Sequence, residues 1–287
     1  MILPDFILTS RVRQVWEYSG MDSPELCYDK KHFKNYPYQI TYQYNSRGFR
    51  DDEWPVSFAE LKNSVWCVGD SFTVGIGSPR EHTWTHILQQ IHGSRTINVS
   101  MDGASNFWIA RKILEIIQQI SPKFIVVQWS YIHRAEINDT TLSDEDRRLH
   151  WNNDFFNDVK LGYKLVELVQ QLEAQKEKTR IIHSFIPNFG VENKIVDIWN
   201  QISGPDWPAC PTTLEKFNAL NSDIVNELIN VFKIYDLYKI YYNLYHGLEY
   251  VTEIHPLDMA RDGNHYDLLT AQKFARDVSK LLSNSLI

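Results

Sequence analysis

Two short stretches of this 287-residue chain carry side chains that acyl transfer needs. In VWCVGDSFTVGIGS, residues 65–78, an apolar run ends in Gly69, Asp70 and Ser71. In RDGNHYD, residues 261–267, Asp262 and His265 stand three residues apart, so one turn can hold both. A serine hydroxyl is a weak nucleophile at neutral pH. It needs a base within hydrogen-bond reach, and the base needs an acid to orient it. Ser71 is the candidate nucleophile, His265 the candidate base and Asp262 the orienting acid. Taken singly, a serine after a strand is ordinarily a helix cap, and an Asp-Gly pair is ordinarily a turn. Asp70 reads as a structural residue that bonds nearby backbone.

Other chemistries fit poorly. GDSFTVGIGS lacks the lysine and the spacing of a phosphate-binding loop, and Gly75-Ile76-Gly77 does not continue to the third glycine of a dinucleotide fingerprint. His82 and His86 have helical i, i+4 spacing, but the stretch reads HTWTH, without the glutamate of a zinc-protease helix. They are expected to be surface or groove histidines, and no metal or organic cofactor is implied. A net charge of −7 argues against binding nucleic acid by phosphate neutralisation. Cys27, Cys67 and Cys210 are too few and too scattered for a disulfide framework and read as reduced. The start of the sequence lacks the basic and apolar regions of a signal peptide, and no apolar run is long enough to span a bilayer. The expected location is cytoplasmic, without membrane insertion.

The elements that must hold these residues alternate. Apolar strands are predicted at 64–69, 95–100, 123–129, 180–187 and 230–236. Helical spacing is predicted at 82–91, 104–120, 154–176, 214–229 and 267–283. Strands alternating with helices imply a parallel sheet covered on both faces, a doubly wound α/β domain. Ligands bind beyond the carboxyl ends of such strands, and Gly-Asp-Ser lies at one of those ends. Residues 1–62 read as an irregular elaboration with a strand at 38–45, packed on a core domain of residues 63–287. The polar segment 130–153 has no clear period and reads as a long loop with a short helix.

The two stretches, in this order, resemble the SGNH, or GDSL, hydrolase family. The family's first block is matched by Gly69-Asp70-Ser71-Phe72 and its last by Asp262-Gly263-Asn264-His265 before a terminal helix. NVSMDGASN, residues 98–106, offers Gly103 for the glycine of the second block, and YNSRGFRDDE, residues 44–53, resembles the stretch that precedes the first strand in many members. The resemblance implies a flavodoxin-like doubly wound sheet of about five parallel strands with helices on both faces. It also implies a catalytic triad of Ser71, Asp262 and His265, with an oxyanion hole that includes the backbone N–H groups of Ser71 and Gly103. The third block departs from the pattern. The family places an asparagine after the third strand as an oxyanion donor, whereas this chain reads VVQWSYIHRAE, residues 126–136. Gln128, Ser130, His133 and Arg134 are the candidates there for oxyanion or substrate contacts. The implied activity is cleavage of short-chain or acetyl esters of a small molecule or carbohydrate through an acyl-serine. An acyltransferase and a non-catalytic carbohydrate-binding module are the alternatives on the same scaffold.

Overall fold

Apolar runs spaced by helical segments can bury both faces only by forming a sheet between two helical layers. The computed structural model shows this arrangement. It describes residues 11–17, 40–131, 134–136, 148–151, 155–186, 248, 251, 257–262 and 265–283. In chain order the elements are β1 (Val15–Glu17), β2 (Thr41–Gln43), α1 (Phe58–Asn63), β3 (Val65–Gly69), α2 (Ser71–Val74), α3 (Trp84–His92), β4 (Thr96–Ser100) and α4 (Asn106–Gln119). There follow β5 (Phe124–Trp129), β6 (Arg134–Glu136), β7 (Arg148–Trp151), α5 (Phe155–Glu173), β8 (Arg180–Phe185) and α6 (Leu268–Ser283).

Four strands form a parallel sheet in the order β4-β3-β5-β8. Successive strand residues point to opposite faces, and the core divides accordingly. Trp66, Val68, Ile125 and Val127 pack under α4 and α5, with Ile113 and Leu172 among their contacts. Val65, Cys67, Val126 and Ile182 pack under α3 and α6, with Leu88 and Phe274. Each fully buried aliphatic side chain of these layers contributes on the order of 1.5–3 kcal/mol. Buried Trp129 donates its Nε1–H to Nδ1 of buried His183 at 3.1 Å, and His183 Nε2 bonds Glu173 at 2.9 Å, so this histidine is spent on structure.

The strand order fixes where a site can lie. From β3 the chain crosses first to β4 on one side and then to β5 on the other. The carboxyl ends of β3 and β5 therefore flank the point where the winding reverses, the usual place for a ligand in this architecture. Ser71 follows β3 and Ser130 follows β5. The predicted strand at 230–236 and helix at 214–229 lie outside the described residues.

One expectation needs correction. The segment 130–153 is not a loop throughout, and its expected short helix falls outside the described residues. Here β6 and β7 form an antiparallel pair with a register irregularity at Ala135/Glu136. Strands of three and four residues interrupted by a bulge are too short to show alternation. Sequence reasoning also did not identify α1 or β1, which pairs antiparallel with β2. Residues Ile40, Tyr42 and Tyr44 around β2 pack on Val74 and Ile76, so this stretch lies against the turn that follows Ser71.

Candidate active site

The turn after β3 is shaped by what its neighbours exclude. A Cβ at Gly69 would lie 2.1 Å from Thr73 Oγ1 and 3.1 Å from the Gln128 carbonyl, so only glycine lets α2 fold back so closely. Thr73 Oγ1 donates to Gln128 Oε1 at 2.8 Å and ties α2 to β5. Asp70 is the N-cap, accepting the Phe72 N–H on Oδ1 at 3.1 Å. Its other oxygen accepts Ser130 Oγ at 2.7 Å and Arg134 Nη1 at 2.8 Å. Arg134 Nη1 also reaches Ser130 Oγ at 2.7 Å and the Ala104 carbonyl at 3.5 Å. The expected structural role of Asp70 thus extends well past the local backbone. Ser71 is buried, and its Oγ has no hydrogen-bond partner among the described residues. A buried hydroxyl without a partner costs free energy, as structures tolerate at sites where a group is held ready.

Gly103 lies in the turn after β4, at φ 72°, with the Ala104 N–H closing on the Met101 carbonyl at 3.0 Å. That positive φ is the left-handed conformation that favours glycine. The Met101 N–H donates to the Gly69 carbonyl, which brings this turn beside the start of α2. No hydrogen bond of the Ser71 or Gly103 N–H is found among the described residues. Asn106 joins the start of α4 to the end of β5. It accepts the Ser130 N–H at 2.8 Å and donates to the Ser130 and Tyr131 carbonyls at 3.0 and 3.3 Å.

The second stretch forms its turn directly before α6. Asp262 Oδ1 accepts the His265 N–H at 3.1 Å, and Oδ2 bonds His265 Nδ1 at 2.5 Å. The carboxylate holds the Nδ1–H tautomer, leaving the Nε2 lone pair as the ring's proton acceptor. The His265 ring packs on Phe72, the residue after Ser71, with centroids 4.6 Å apart. A Cβ on Gly77 (φ 77°) would lie 2.7 Å from Asp262 Cγ, and the Gly77 carbonyl accepts the Arg261 N–H at 3.1 Å. The loop 74–78 thus packs behind Asp262. That loop is itself held by buried Arg50, which donates to the carbonyls of Val74, Gly75 and Ser78 and stacks on Tyr42 with Cζ 4.0 Å from the ring centre. Burial pulls the Arg50 guanidinium below its usual pKa. Ser78 Oγ and His82 Nδ1 both bond Asp267 Oδ1, at 3.1 and 2.9 Å, fastening the same loop to the start of α6.

The structure therefore brings Ser71, the Gly103 turn and the Asp262–His265 pair to one end of the sheet. Ser130 and Arg134 are buried and tied to Asp70, and His133 lies outside the described residues. His82 precedes α3 and serves Asp267, while His86 bonds Gln90, so the two histidines do not form a ligand pair. Among the described residues no cluster could hold a metal ion. Cys67 is a free buried thiol whose pKa burial pushes up. No helix among the described residues is long and apolar enough to cross a membrane. Sequence reasoning missed Arg50, Asn106 and the Asp70–Arg134 pair. Arg50 alone left a signal, as the last residue of NSRGFR.

No family model matches the chain, and no curated protein does. Solved structures do resemble it. A carbohydrate acetylesterase family member from Sinorhizobium meliloti is 18% identical, with a TM-score of 0.40 over 77% of this chain and 97% of that one. A member of the lipolytic protein G-D-S-L family from Veillonella parvula is 14% identical, with a TM-score of 0.37 over 77% of this chain and 98% of that one. A carbohydrate esterase family 2 enzyme with a carbohydrate-binding domain from Corynascus thermopiles is 13% identical, with a TM-score of 0.42 over 82% of this chain and 69% of that one. The solved structures that this chain resembles in fold include lipolytic proteins of the G-D-S-L type and carbohydrate esterases.

Proposed function

We propose that this protein is a serine hydrolase of acyl esters that works through an acyl-Ser71 intermediate. The observation that carries the reading is a buried serine with an unpartnered Oγ at the winding-reversal point, beside a hydrogen-bonded Asp262–His265 pair. In the proposed reaction His265 Nε2 takes the Ser71 Oγ proton as Oγ bonds to the acyl carbon. The carbonyl electron pair moves to oxygen, and the Ser71 and Gly103 N–H groups stabilise that oxyanion. The imidazolium, held by Asp262, then protonates the departing alkoxide, and the C–O bond to the alcohol breaks. Water repeats the sequence: His265 removes its proton, the hydroxyl oxygen attacks the acyl carbon, and Ser71 leaves with the proton returned.

The proposed substrate is an acetyl or other short-chain ester of a small-molecule or carbohydrate alcohol, the class that the sequence resemblance implies. The test is hydrolysis of p-nitrophenyl acetate, butyrate and octanoate by the wild type and by Ser71→Ala. Turnover of acetate that falls by roughly three orders of magnitude or more in the variant supports the reading. Turnover that Ser71→Ala leaves unchanged overturns it.

A further inference from the structure

We infer that Arg134 supplies the oxyanion donor that the third block of this chain lacks, through the Nε–Nη2 edge of its guanidinium. The inference rests on the serine-hydrolase reading above. Two other side chains near the end of β5, Ser130 and Asn106, are already committed. Ser130 gives its single hydroxyl hydrogen to Asp70 and accepts from Arg134. The two amide hydrogens of Asn106 go to the Ser130 and Tyr131 carbonyls. Gln128 accepts from Thr73 on α2 through Oε1, and its buried Nε2 has no hydrogen-bond partner among the described residues.

Arg134 differs from Ser130 and Asn106 in keeping free donors, and from Gln128 in bonding residues that adjoin both Ser71 and Gly103. Only Nη1 is engaged, holding Asp70, Ser130 and the Ala104 carbonyl. Nε is buried and has no partner, and Nη2 makes no hydrogen bond among the described residues. One edge of a rigid fork is thus anchored while the other keeps its donors. The anchoring contacts also locate the group. Asp70 adjoins Ser71 and Ala104 adjoins Gly103, so the guanidinium bridges the two turns whose N–H groups face the proposed oxyanion. An unpartnered buried donor is costly in the resting protein. An oxyanion that forms as Ser71 Oγ bonds the acyl carbon would accept from it, with no proton transferred. Stabilisation confined to the transition state is the kind that accelerates a reaction. The Asp70–Arg134 pair is neutral overall, which makes the buried cation tolerable at rest.

The test compares the rate at which a fluorophosphonate labels Ser71 in the wild type and in Arg134→Lys. The phosphoryl oxygen takes the place of the oxyanion, and lysine can keep the charge contact with Asp70 but lacks the second edge. The expected result is labelling slowed by about 10²-fold, with KM for p-nitrophenyl acetate and the melting temperature little changed. Unchanged labelling of a cooperatively folded Arg134→Lys overturns the assignment alone. A wild type that is not labelled overturns it together with the hydrolase reading. Should Arg134→Lys not melt cooperatively, phenylglyoxal modification of the wild type decides. Protection of Arg134 once Ser71 is phosphonylated supports the assignment, and equal modification before and after overturns it.

Discussion

Asp70 and Asp262 are built alike and do different work. Both are fully buried, and each places Oδ1 on a backbone N–H of its own turn and Oδ2 on a side chain. The partner of Asp70 is a guanidinium, a permanent cation. The partner of Asp262 is an imidazole, whose charge changes during the proposed reaction. A buried carboxylate needs compensation for lost hydration. Asp70 has that compensation at all times and serves to fix two turns in place. Asp262 gains its strongest attraction only when His265 becomes protonated. Under the proposed mechanism the same local geometry is structural beside a fixed charge and catalytic beside a variable one.

That contrast can be broken by exchanging each acid for its amide. Asp262→Asn should fold and lose roughly 10⁴-fold in kcat, because the amide favours the wrong imidazole tautomer. Asp70→Asn should instead leave Arg134 buried and uncompensated, a loss of about 3–5 kcal/mol of stability in thermal or denaturant unfolding. Similar losses of activity at equal stability in both variants would erase the distinction. The pH profile sharpens it. Acidification should protonate His265 and lower kcat/KM by about tenfold per pH unit on the acid limb, and a flat profile would remove His265 as the base.

Gly77→Ala tests the support behind Asp262. The left-handed backbone should cost about 1–2 kcal/mol. The new Cβ would also press on the Asp262 carboxyl and lower kcat by about tenfold or more through misplacement. Both effects are read by combining a melt with steady-state rates. The smallest effect concerns a third buried acid. Burial pushes Asp51 from the ordinary 3.8 up to about 6, even though Arg95 lies 2.8 Å away. The native state therefore binds this proton more tightly than the unfolded chain. Its stability contribution is present below about pH 4 and is lost as pH rises towards 6. A series of melts between those values should show this slope in the wild type, and Asp51→Asn should flatten it.

How much of this was legible in the sequence depended on separation along the chain. The four described sheet strands were readable because burial on both faces makes them continuous apolar runs. The pairing of Asp262 with His265 was readable because one turn holds both. Gly69-Asp70-Ser71 stood out at a strand end for the same local reason. The bond from Arg134 to Asp70 and the clamp of Arg50 on loop 74–78 were not readable. Each joins residues that only the sheet crossovers bring together, and an arginine in a polar stretch carries no mark of burial. The short pair β6–β7 was hidden because three or four residues cannot display a period. Gly77 was visible as a glycine, but its need became clear only from the closeness of Asp262.

The placement of His265 immediately before α6 has a kinetic consequence. Ser71 lies at the end of the first strand of the parallel sheet, whereas the Asp262–His265 pair directly precedes the last described helix, which packs on α3 from far earlier in the sequence. Contacts across such a span close late, after shorter loops have paid their entropy. During refolding, helical signal and sheet formation should thus precede recovery of ester cleavage. The appearance of activity would then report the docking of one helix rather than the collapse of the chain.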